Sequence, residues 1–195
     1  MSDPRIKTAT GPTILLHSGS YFDFLDPAGS RFTLSDIAQG LGNTCRFAGQ
    51  CARFYSVAEH CWHASHIVPG NLRFAALMHD ASEAFLGDVT RPLKSLLPAY
   101  KEIEATVETV IDERFALGGL ANHPIVKIAD MQMLAAEQTA MMPVHDDPWP
   151  CLEGVVPIDV QFEYWSPAEA AERWLSRAEA LLCTFPARSL ERVAA

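Results

Sequence analysis

The sequence predicts an all-α protein with one domain and a small β-hairpin near its N-terminal end. Its 195 residues are 49% hydrophobic, which is enough to bury one substantial core, and no linker-like or low-complexity segment divides them. From residue 56 onward, apolar residues recur at helical spacing behind residues that commonly start helices. We therefore place a single domain at residues 12–185, between a flexible N-terminal segment (1–11) and a C-terminal tail (186–195).

Residues 13–32 carry the hairpin pattern. An apolar run at 13–16 leads into a Ser18-Gly19 turn and then into an aromatic-rich run at 21–25. The hairpin is too small to be a second domain, so we interpret it as a lid or as a contact between subunits.

Helix start and stop signals divide the rest of the chain. Ser56 and Glu59 form a capping box, and Ser166 followed by Pro167 is a strong helix start. Gly42 is expected to end a short helix that precedes them. The predicted helices cover residues 33–41, 56–67, 71–86, 97–116, 124–142 and 167–184.

Residues 143–157 interrupt the helical pattern with four prolines, which exclude regular structure. The segment contains Trp149 and the polar run His145-Asp146-Asp147, which we interpret as a solvated turn. It either passes over a pocket or forms a surface between subunits, and we favour the subunit surface.

Charge and cysteine content restrict the partners and the compartment. The net charge of −9, with scattered Lys and Arg residues, argues against binding to a nucleic-acid polymer and favours a small-molecule partner. The five cysteines are odd in number and form no Cys-x-x-Cys pair, so we expect free thiols in a reducing compartment. Residues 1–11 lack an apolar signal sequence, and no stretch approaches the length of a membrane span. We therefore expect a cytoplasmic protein without a membrane partner.

The most informative stretch is His79-Asp80, which Glu83 and Asp88 follow. The residues around the pair, 71–86, are mostly apolar and predict a helix that faces the core. An unpaired aspartate buried in such a helix is energetically costly, and a bound cation removes that cost. The pair therefore predicts a metal site.

His60 and Asp130 are the best candidates for the remaining metal ligands. His60 lies in the first turns of the helix that begins at Ser56, and Asp130 interrupts an apolar helical run at 125–131. Each candidate ligand thus lies on a predicted helix whose other residues are largely apolar.

Several motifs extend this pattern, namely Val57-Ala58-Glu59-His60, His79-Asp80-Ala81-Ser82-Glu83, Gly87-Asp88, Pro92-Leu93-Lys94 and Lys127-Ile128-Ala129-Asp130. Together they resemble the HD-domain metal-dependent phosphohydrolases. Within that class, roughly residues 45–137 resemble the bacterial HD-domain 5′-deoxynucleotidases and the related phage dATP triphosphohydrolases. The resemblance implies an HD-domain helical bundle in which the two histidines and two aspartates are metal ligands.

Two imidazoles and two carboxylates suit one divalent transition-metal ion, such as Mn²⁺, Co²⁺, Fe²⁺, Ni²⁺ or Zn²⁺, better than a thiophilic metal. If the ion is five- or six-coordinate, positions remain for a water and a phosphate oxygen, which favours hydrolysis of a phosphoester. Glu83 lies on the same side of the predicted helix as the pair. It could transfer a proton or orient a ligand histidine, and the resemblance implies that it is catalytic.

Three residues that follow the pair are candidates for substrate binding. The resemblance implies that Asp88 binds a sugar hydroxyl and disfavours a 2′-OH, whereas the alternative is that it caps the amides of Thr90 and Arg91. Pro92 is a candidate wall against the base, and Lys94 is a candidate phosphate contact.

Arg46 and Phe47 are candidates upstream of the ligands. Arg46 could stabilise the transferring phosphate, while Phe47 packs against the base or the sugar. The resembled nucleotidases carry an Arg-Trp pair at nearly this distance from the first histidine, one residue further away. That offset leaves Arg53 as a competitor for the phosphate.

The leading hypothesis is a metal-dependent phosphohydrolase that converts deoxynucleoside 5′-monophosphates to deoxynucleoside and phosphate. One alternative is a dNTP triphosphohydrolase that releases tripolyphosphate, and another is a metal-stabilised binding module without turnover. The (p)ppGpp hydrolases of the HD class expect a Glu-Asp pair where this chain has Glu83-Ala84. We expect a homo-oligomer, dimeric or larger.

Overall fold

The computed structural model of the protein describes residues 8–185. This part of the chain is mostly helical and begins with a two-stranded antiparallel sheet, which confirms the predicted all-α class with an N-terminal hairpin. Residues 1–7 of the predicted flexible segment and the predicted tail at 186–195 lie outside the described residues.

Two strands and eight α-helices form the regular structure of residues 8–185. The strands are β1 (Thr13–Leu15) and β2 (Tyr21–Asp23), and their register pairs Ile14 with Phe22. Within the described range, no helix has both the length and the apolar character that a membrane crossing requires. The helices are α1 (Leu34–Asn43), α2 (Val57–Ala64), α3 (Arg73–Leu77), α4 (Glu83–Leu86), α5 (Arg91–Lys94), α6 (Pro98–Arg114), α7 (Pro124–Met141) and α8 (Pro167–Leu182).

The main core lies where α1, α2 and α3 pack against α8. Ile37 and Leu41 of α1 and Trp174 of α8 are fully buried. Trp174 also donates its indole N–H to the Leu77 carbonyl at 3.2 Å, so its polar atom is satisfied inside the core. Helix α8 therefore closes the core across three other helices.

Gly42 does not end α1, contrary to the prediction. The helix continues to Asn43, and a Cβ at position 42 would lie 2.7 Å from the Pro167 carbonyl oxygen and 2.9 Å from the Ala171 Cβ. The glycine is needed because α1 and α8 approach too closely there for a side chain.

The hairpin packs into the core through Phe22. This side chain is fully buried and stacks on Phe85 of α4, with ring centroids 4.2 Å apart and planes 4° apart. Phe32 contacts both rings edge-on. Such burial makes the hairpin a fixed part of the core, so the interpretation as a lid is not supported.

Ser56 caps the start of helix α2, and its hydroxyl accepts the Glu59 N–H at 3.1 Å. The reciprocal half of the predicted capping box is wrong, because the Glu59 carboxylate accepts the N–H groups of residues 163–165 at 2.8–2.9 Å. A buried carboxylate thus ties the chain that leads into α8 to α2. The helix ends at Ala64, earlier than predicted.

The predicted helix at 71–86 is two short helices, α3 and α4, joined by a turn. Within the turn, the N–H groups of Ala81 and Glu83 bond the carbonyls three residues earlier, so the backbone leaves the α-helical pattern. Adjacent residues of a regular helix point about 100° apart. In this turn the His79 and Asp80 side chains converge, with His79 Nε2 3.2 Å from Asp80 Oδ2.

Candidate metal centre

Three of the four predicted metal ligands, His60, His79 and Asp130, form a group compact enough to hold one ion. Asp80 borders this group, and we call the four residues the metal centre. His60 comes from α2, Asp130 from α7, and His79 and Asp80 from the turn between α3 and α4. His60 Nε2 lies 3.3 Å from His79 Nε2 and 3.2 Å from Asp130 Oδ1, and His79 Nε2 lies 3.2 Å from Asp80 Oδ2. The other two distances from a histidine Nε2 to a carboxylate oxygen are both 3.8 Å.

These spacings fit the ligands of a single ion. Bonds of about 2.1 Å from a metal to nitrogen or oxygen place neighbouring ligand atoms about 3.0 Å apart in an octahedron and about 3.4 Å apart in a tetrahedron. The measured range of 3.2–3.8 Å is close to both values. The spacing of His60, His79 and Asp130 therefore suits a single ion. Asp80 Oδ2 lies 3.2 Å from His79 Nε2 and 3.8 Å from His60 Nε2.

Each imidazole is oriented by a hydrogen bond at its other nitrogen. His60 Nδ1 lies 2.6 Å from Glu137 Oε1, and His79 Nδ1 lies 2.8 Å from the Ala76 carbonyl oxygen. Because these partners are acceptors, both Nδ1 atoms are assigned as donors. The neutral rings then present two Nε2 lone pairs to each other, and a proton or a cation held by both nitrogens removes their repulsion.

The electrostatics of the centre favour positive charge. Burial opposes protonation of His79, but the Asp80 carboxylate and the hydrogen bond with Asp130 outweigh it and hold its pKa well above the usual value. Burial likewise opposes ionisation of Asp130, yet hydrogen bonds with His60 and His79 hold its pKa well below the usual range. The same field that attracts a proton attracts a divalent cation.

A second grouping, formed by Cys61, His79 and Asp80, is also compact enough to hold a metal. The Cys61 sulfur, however, lies 3.8 Å from His79 Nδ1, the nitrogen that already bonds the Ala76 carbonyl. Burial raises the pKa of the Cys61 thiol to about 11, which keeps it protonated and a poor ligand. The grouping around His60 and Asp130 therefore fits an ion better.

Glu137 is an important residue that the sequence reasoning missed. It is fully buried on α7, two helical turns after Asp130 on the same side. One carboxylate oxygen binds His60, and the other accepts from Arg46 Nε at 3.1 Å and Nη2 at 2.9 Å. Glu137 is the single charged residue within 131–144 and stands seven residues after a predicted ligand, which was the available signal.

Arg46 lies next to the metal centre, whereas its competitor Arg53 does not. While Glu137 holds Arg46 Nε and Nη2, the remaining nitrogen Nη1 lies 3.8 Å from Asp80 Oδ2. Arg53 is exposed and lies 4.0 Å from the centroid of the Tyr164 ring. Of the two arginines, only Arg46 is positioned beside the ligands.

Phe47 and Ala48 have an unusual backbone in the 3₁₀ turn Arg46–Gly49. Their φ angles are 58° and 52°, in the left-handed region that residues other than glycine rarely adopt. The Phe47 N–H donates to Asp88 Oδ2 at 3.2 Å. Asp88 therefore does not cap Thr90 and Arg91, and it joins the Arg46 turn to the chain that follows α4.

Glu83 has an acidic environment and an incomplete set of hydrogen bonds. The residue is only 8% exposed, and its Oε2 atom has no hydrogen-bond partner among residues 8–185. Burial, reinforced by the charges of Asp80 and Asp88, raises its pKa well above the usual value. Glu83 therefore retains its proton to a higher pH than an ordinary carboxyl group does, and its Oε2 atom is available to a bound molecule.

Lys94 and Pro92, the other two residues predicted to contact substrate, lie on α5. Lys94 Nζ binds Glu104 Oε1 of α6 at 2.5 Å, although its charge still acts on Glu83. Pro92 is exposed. An ion pair with α6 satisfies Lys94 already, so a phosphate would have to compete with Glu104.

The proline-rich segment at 143–157 has one 3₁₀ turn, Pro150–Leu152, and otherwise lacks helix and strand, as predicted. The ring of Trp149 lies 6.2 Å from that of Phe47, and His145 stacks beside Trp149. This contact places the segment beside the turn that carries Phe47.

Two bacterial proteins are similar to this chain. It is 43% identical to the uncharacterized protein YfdR of Escherichia coli strain K12 over 138 residues, which cover 71% of this chain and 77% of the relative. It is 36% identical to an uncharacterized protein of Rhodobacter capsulatus in an alignment of 138 positions, which covers 63% of this chain and 70% of that relative. No family model matches the sequence. From the extent of the first similarity, the chain belongs to the protein family of Escherichia coli YfdR.

Proposed function

We propose that the protein is an HD-domain metal-dependent phosphohydrolase that removes the 5′ phosphate from deoxynucleoside monophosphates. The observation that carries the proposal is the metal centre, in which four nitrogen and oxygen donors from three parts of the chain lie 3.2–3.8 Å from their neighbours. Donors of this kind, brought together inside the protein, are typical of a catalytic metal site.

His60, His79, Asp80 and Asp130 would hold the ion. When bound, the ion supplies charge that stabilises the phosphate and acidifies a water molecule. Glu137 and Ala76 keep both imidazoles in the tautomer that presents Nε2. The protein therefore contributes a prearranged set of lone pairs.

Arg46 is the residue we assign to the phosphate. Glu137 fixes two of its guanidinium nitrogens, so that Nη1 is directed toward the metal centre. A buried, oriented guanidinium is suited to the charge that develops on a transferring phosphoryl group.

Glu83 is the residue we assign to proton transfer. Hydrolysis of a 5′-phosphoester releases an alkoxide that needs a proton, and a carboxylic acid with a raised pKa can deliver one. Burial and the charges of Asp80 and Asp88 raise the pKa of Glu83 well above the usual value, so it holds a proton more readily than an ordinary carboxyl group does. It would therefore act as the general acid toward the sugar 5′ oxygen.

The monophosphate is favoured over the triphosphate by the cations near the centre. Two further cations lie on α5, but Lys94 is paired with Glu104, and the Arg91 guanidinium contacts Met131 Sδ at 3.8 Å. Of these three cations, Arg46 is the one whose free nitrogen is directed at the ligands. One phosphate matches this arrangement better than three.

The test is a substrate panel with the purified protein and added Mn²⁺ or Co²⁺. It comprises deoxyribonucleotides and ribonucleotides with one to three phosphates, with the products separated by chromatography. We expect orthophosphate from deoxynucleoside monophosphates. Release of tripolyphosphate from dNTPs, with no reaction of the monophosphates, would show that the triphosphate is the substrate. Absence of turnover with every nucleotide would favour a non-catalytic binding module.

A further inference from the structure

Two cysteines stand at the ends of the turn that carries Arg46 and Phe47. The sulfur atoms of Cys45 and Cys51 are 3.8 Å apart, and the Cys51 thiol lies 3.7 Å from the Arg46 carbonyl oxygen. Both side chains are half-buried rather than enclosed. A disulfide has a sulfur–sulfur distance of about 2.05 Å, so the two sulfurs need to approach by about 1.8 Å.

The backbone, and not chance side-chain rotation, brings the two thiols together. The Arg46 N–H bonds the Tyr55 carbonyl at 2.9 Å, and the Val57 N–H bonds the Thr44 carbonyl at 3.0 Å, which closes the chain on both sides of the turn. The N–H of Ala52, next to Cys51, bonds the Met141 carbonyl at 2.9 Å. The pair is thus held in position from three directions.

The other three cysteines are differently placed. Cys61 is buried beside His79, and Cys151 and Cys183 are exposed in other parts of the fold. In the described part of the chain, Cys45 and Cys51 are the cysteines whose sulfurs lie within hydrogen-bonding range of each other. They are therefore the natural site for intramolecular oxidation.

We propose that Cys45 and Cys51 are a redox modification site that forms a reversible disulfide with hydrogen peroxide. One thiolate attacks peroxide to give a sulfenic acid and water, and the second thiol displaces the hydroxyl as a second water. The two thiols lose two electrons in total, and one peroxide becomes two waters. Burial raises the pKa of the Cys51 thiol, so the reaction is faster in alkaline than in neutral solution.

The disulfide changes the turn that presents Arg46. Drawing the two sulfurs together removes the Cys51 contact with the Arg46 carbonyl and tightens a turn in which Phe47 and Ala48 are already left-handed. Arg46 follows Cys45 directly, and its guanidinium must reach Glu137. Oxidation therefore displaces Arg46 and lowers turnover, an effect on activity that rests on the proposed function.

Peptide mapping tests the modification without any substrate. The protein is treated with peroxide, alkylated under denaturing conditions and cleaved with trypsin, which cuts after Arg31, Arg46 and Arg53. We expect the peptides 32–46 and 47–53 to be joined, to separate on reduction with dithiothreitol, and to remain unjoined in Cys51→Ser. If both cysteines stay free at a peroxide dose that oxidises Cys151 and Cys183, the proposed site is wrong.

Measurements of turnover test the proposed effect of the disulfide on Arg46. We expect oxidised wild-type protein to lose turnover several-fold and to regain it with dithiothreitol, while Cys51→Ser keeps its own rate through the same treatment. Full turnover by protein that mapping shows to be linked would overturn the proposed effect on Arg46. Absence of turnover in reduced protein would instead contradict the proposed function and leave the mapping result intact.

Discussion

Helix α2 carries two adjacent polar residues, Glu59 and His60, in very different surroundings. Glu59 and the N–H groups of residues 163–165 form what we call the anchor, in which each partner is supplied by the chain. His60 belongs to the metal centre, where lone pairs and carboxylates face one another. Both sites are buried, yet in the anchor each carboxylate oxygen of Glu59 already accepts an N–H group of the chain. A buried site whose polar groups are all paired within the chain stabilises the fold, whereas a buried site with unpaired polar groups indicates a function.

The largest expected effect comes from the metal centre itself. Alanine at His60, His79, Asp80 or Asp130 removes one of four donors, so each variant should lose both metal and turnover. Elemental analysis of the purified variants, with phosphate release measured on the same samples, checks this. A variant that retains the full metal content removes its residue from the ligand set.

Glu83→Gln should separate metal binding from chemistry. The amide keeps the shape of the side chain but cannot donate the acidic proton, so turnover should fall by roughly 10²- to 10⁴-fold while metal content stays unchanged. Metal analysis and saturation kinetics are needed together. A rate near that of the wild type at saturating substrate would exclude Glu83 as the general acid.

Glu137→Gln should lower the metal affinity of the metal centre, because Glu137 holds His60 and Arg46 in place. The amide cannot accept from both His60 and Arg46 as the carboxylate does, and loss of such a partner typically lowers metal affinity about 10- to 100-fold. A metal titration measures this directly. Excess metal should restore part of the turnover, which would not happen if Glu137 acted on the substrate itself.

Asp88→Ala should have a smaller effect that depends on the sugar. If Asp88 contacts the sugar, the variant should prefer deoxyribose less strongly. The ratio of kcat/KM for deoxyribonucleotide to kcat/KM for ribonucleotide should then fall a few-fold. Asp88 also accepts the Phe47 N–H. Equal losses for the two sugars would therefore mean that Asp88 only supports the turn.

Glu59→Gln should leave turnover per folded molecule nearly unchanged while lowering the free energy of unfolding by about 2–4 kcal/mol, because buried N–H groups lose their charged acceptor. Chemical denaturation monitored by circular dichroism measures this difference. Glu169→Gln is the matched control, since its ion pair with Arg173 is exposed and worth less than about 1 kcal/mol. Equal stability of the two variants would contradict the role of the anchor.

The sequence predicted the four residues of the metal centre because each is polar in an apolar stretch, a property that needs no knowledge of the fold. It did not predict the turn that splits 71–86, because apolar periodicity is the same for one helix and for two short ones. The sequence also could not predict contacts between residues that are far apart along the chain. The bond from Phe47 to Asp88 and the bond from His60 to Glu137 join positions 41 and 77 residues apart, and only the folded backbone brings them together.

The left-handed residues Phe47 and Ala48 also bear on how this family can change over evolution. Two such residues cost about 1–2 kcal/mol each, and glycine at position 48 would remove part of that cost at once. The same change would loosen the turn that holds Arg46, so selection for thermal robustness and selection for a fixed guanidinium oppose each other at this position. Relatives adapted to heat should therefore gain stability at positions outside this turn.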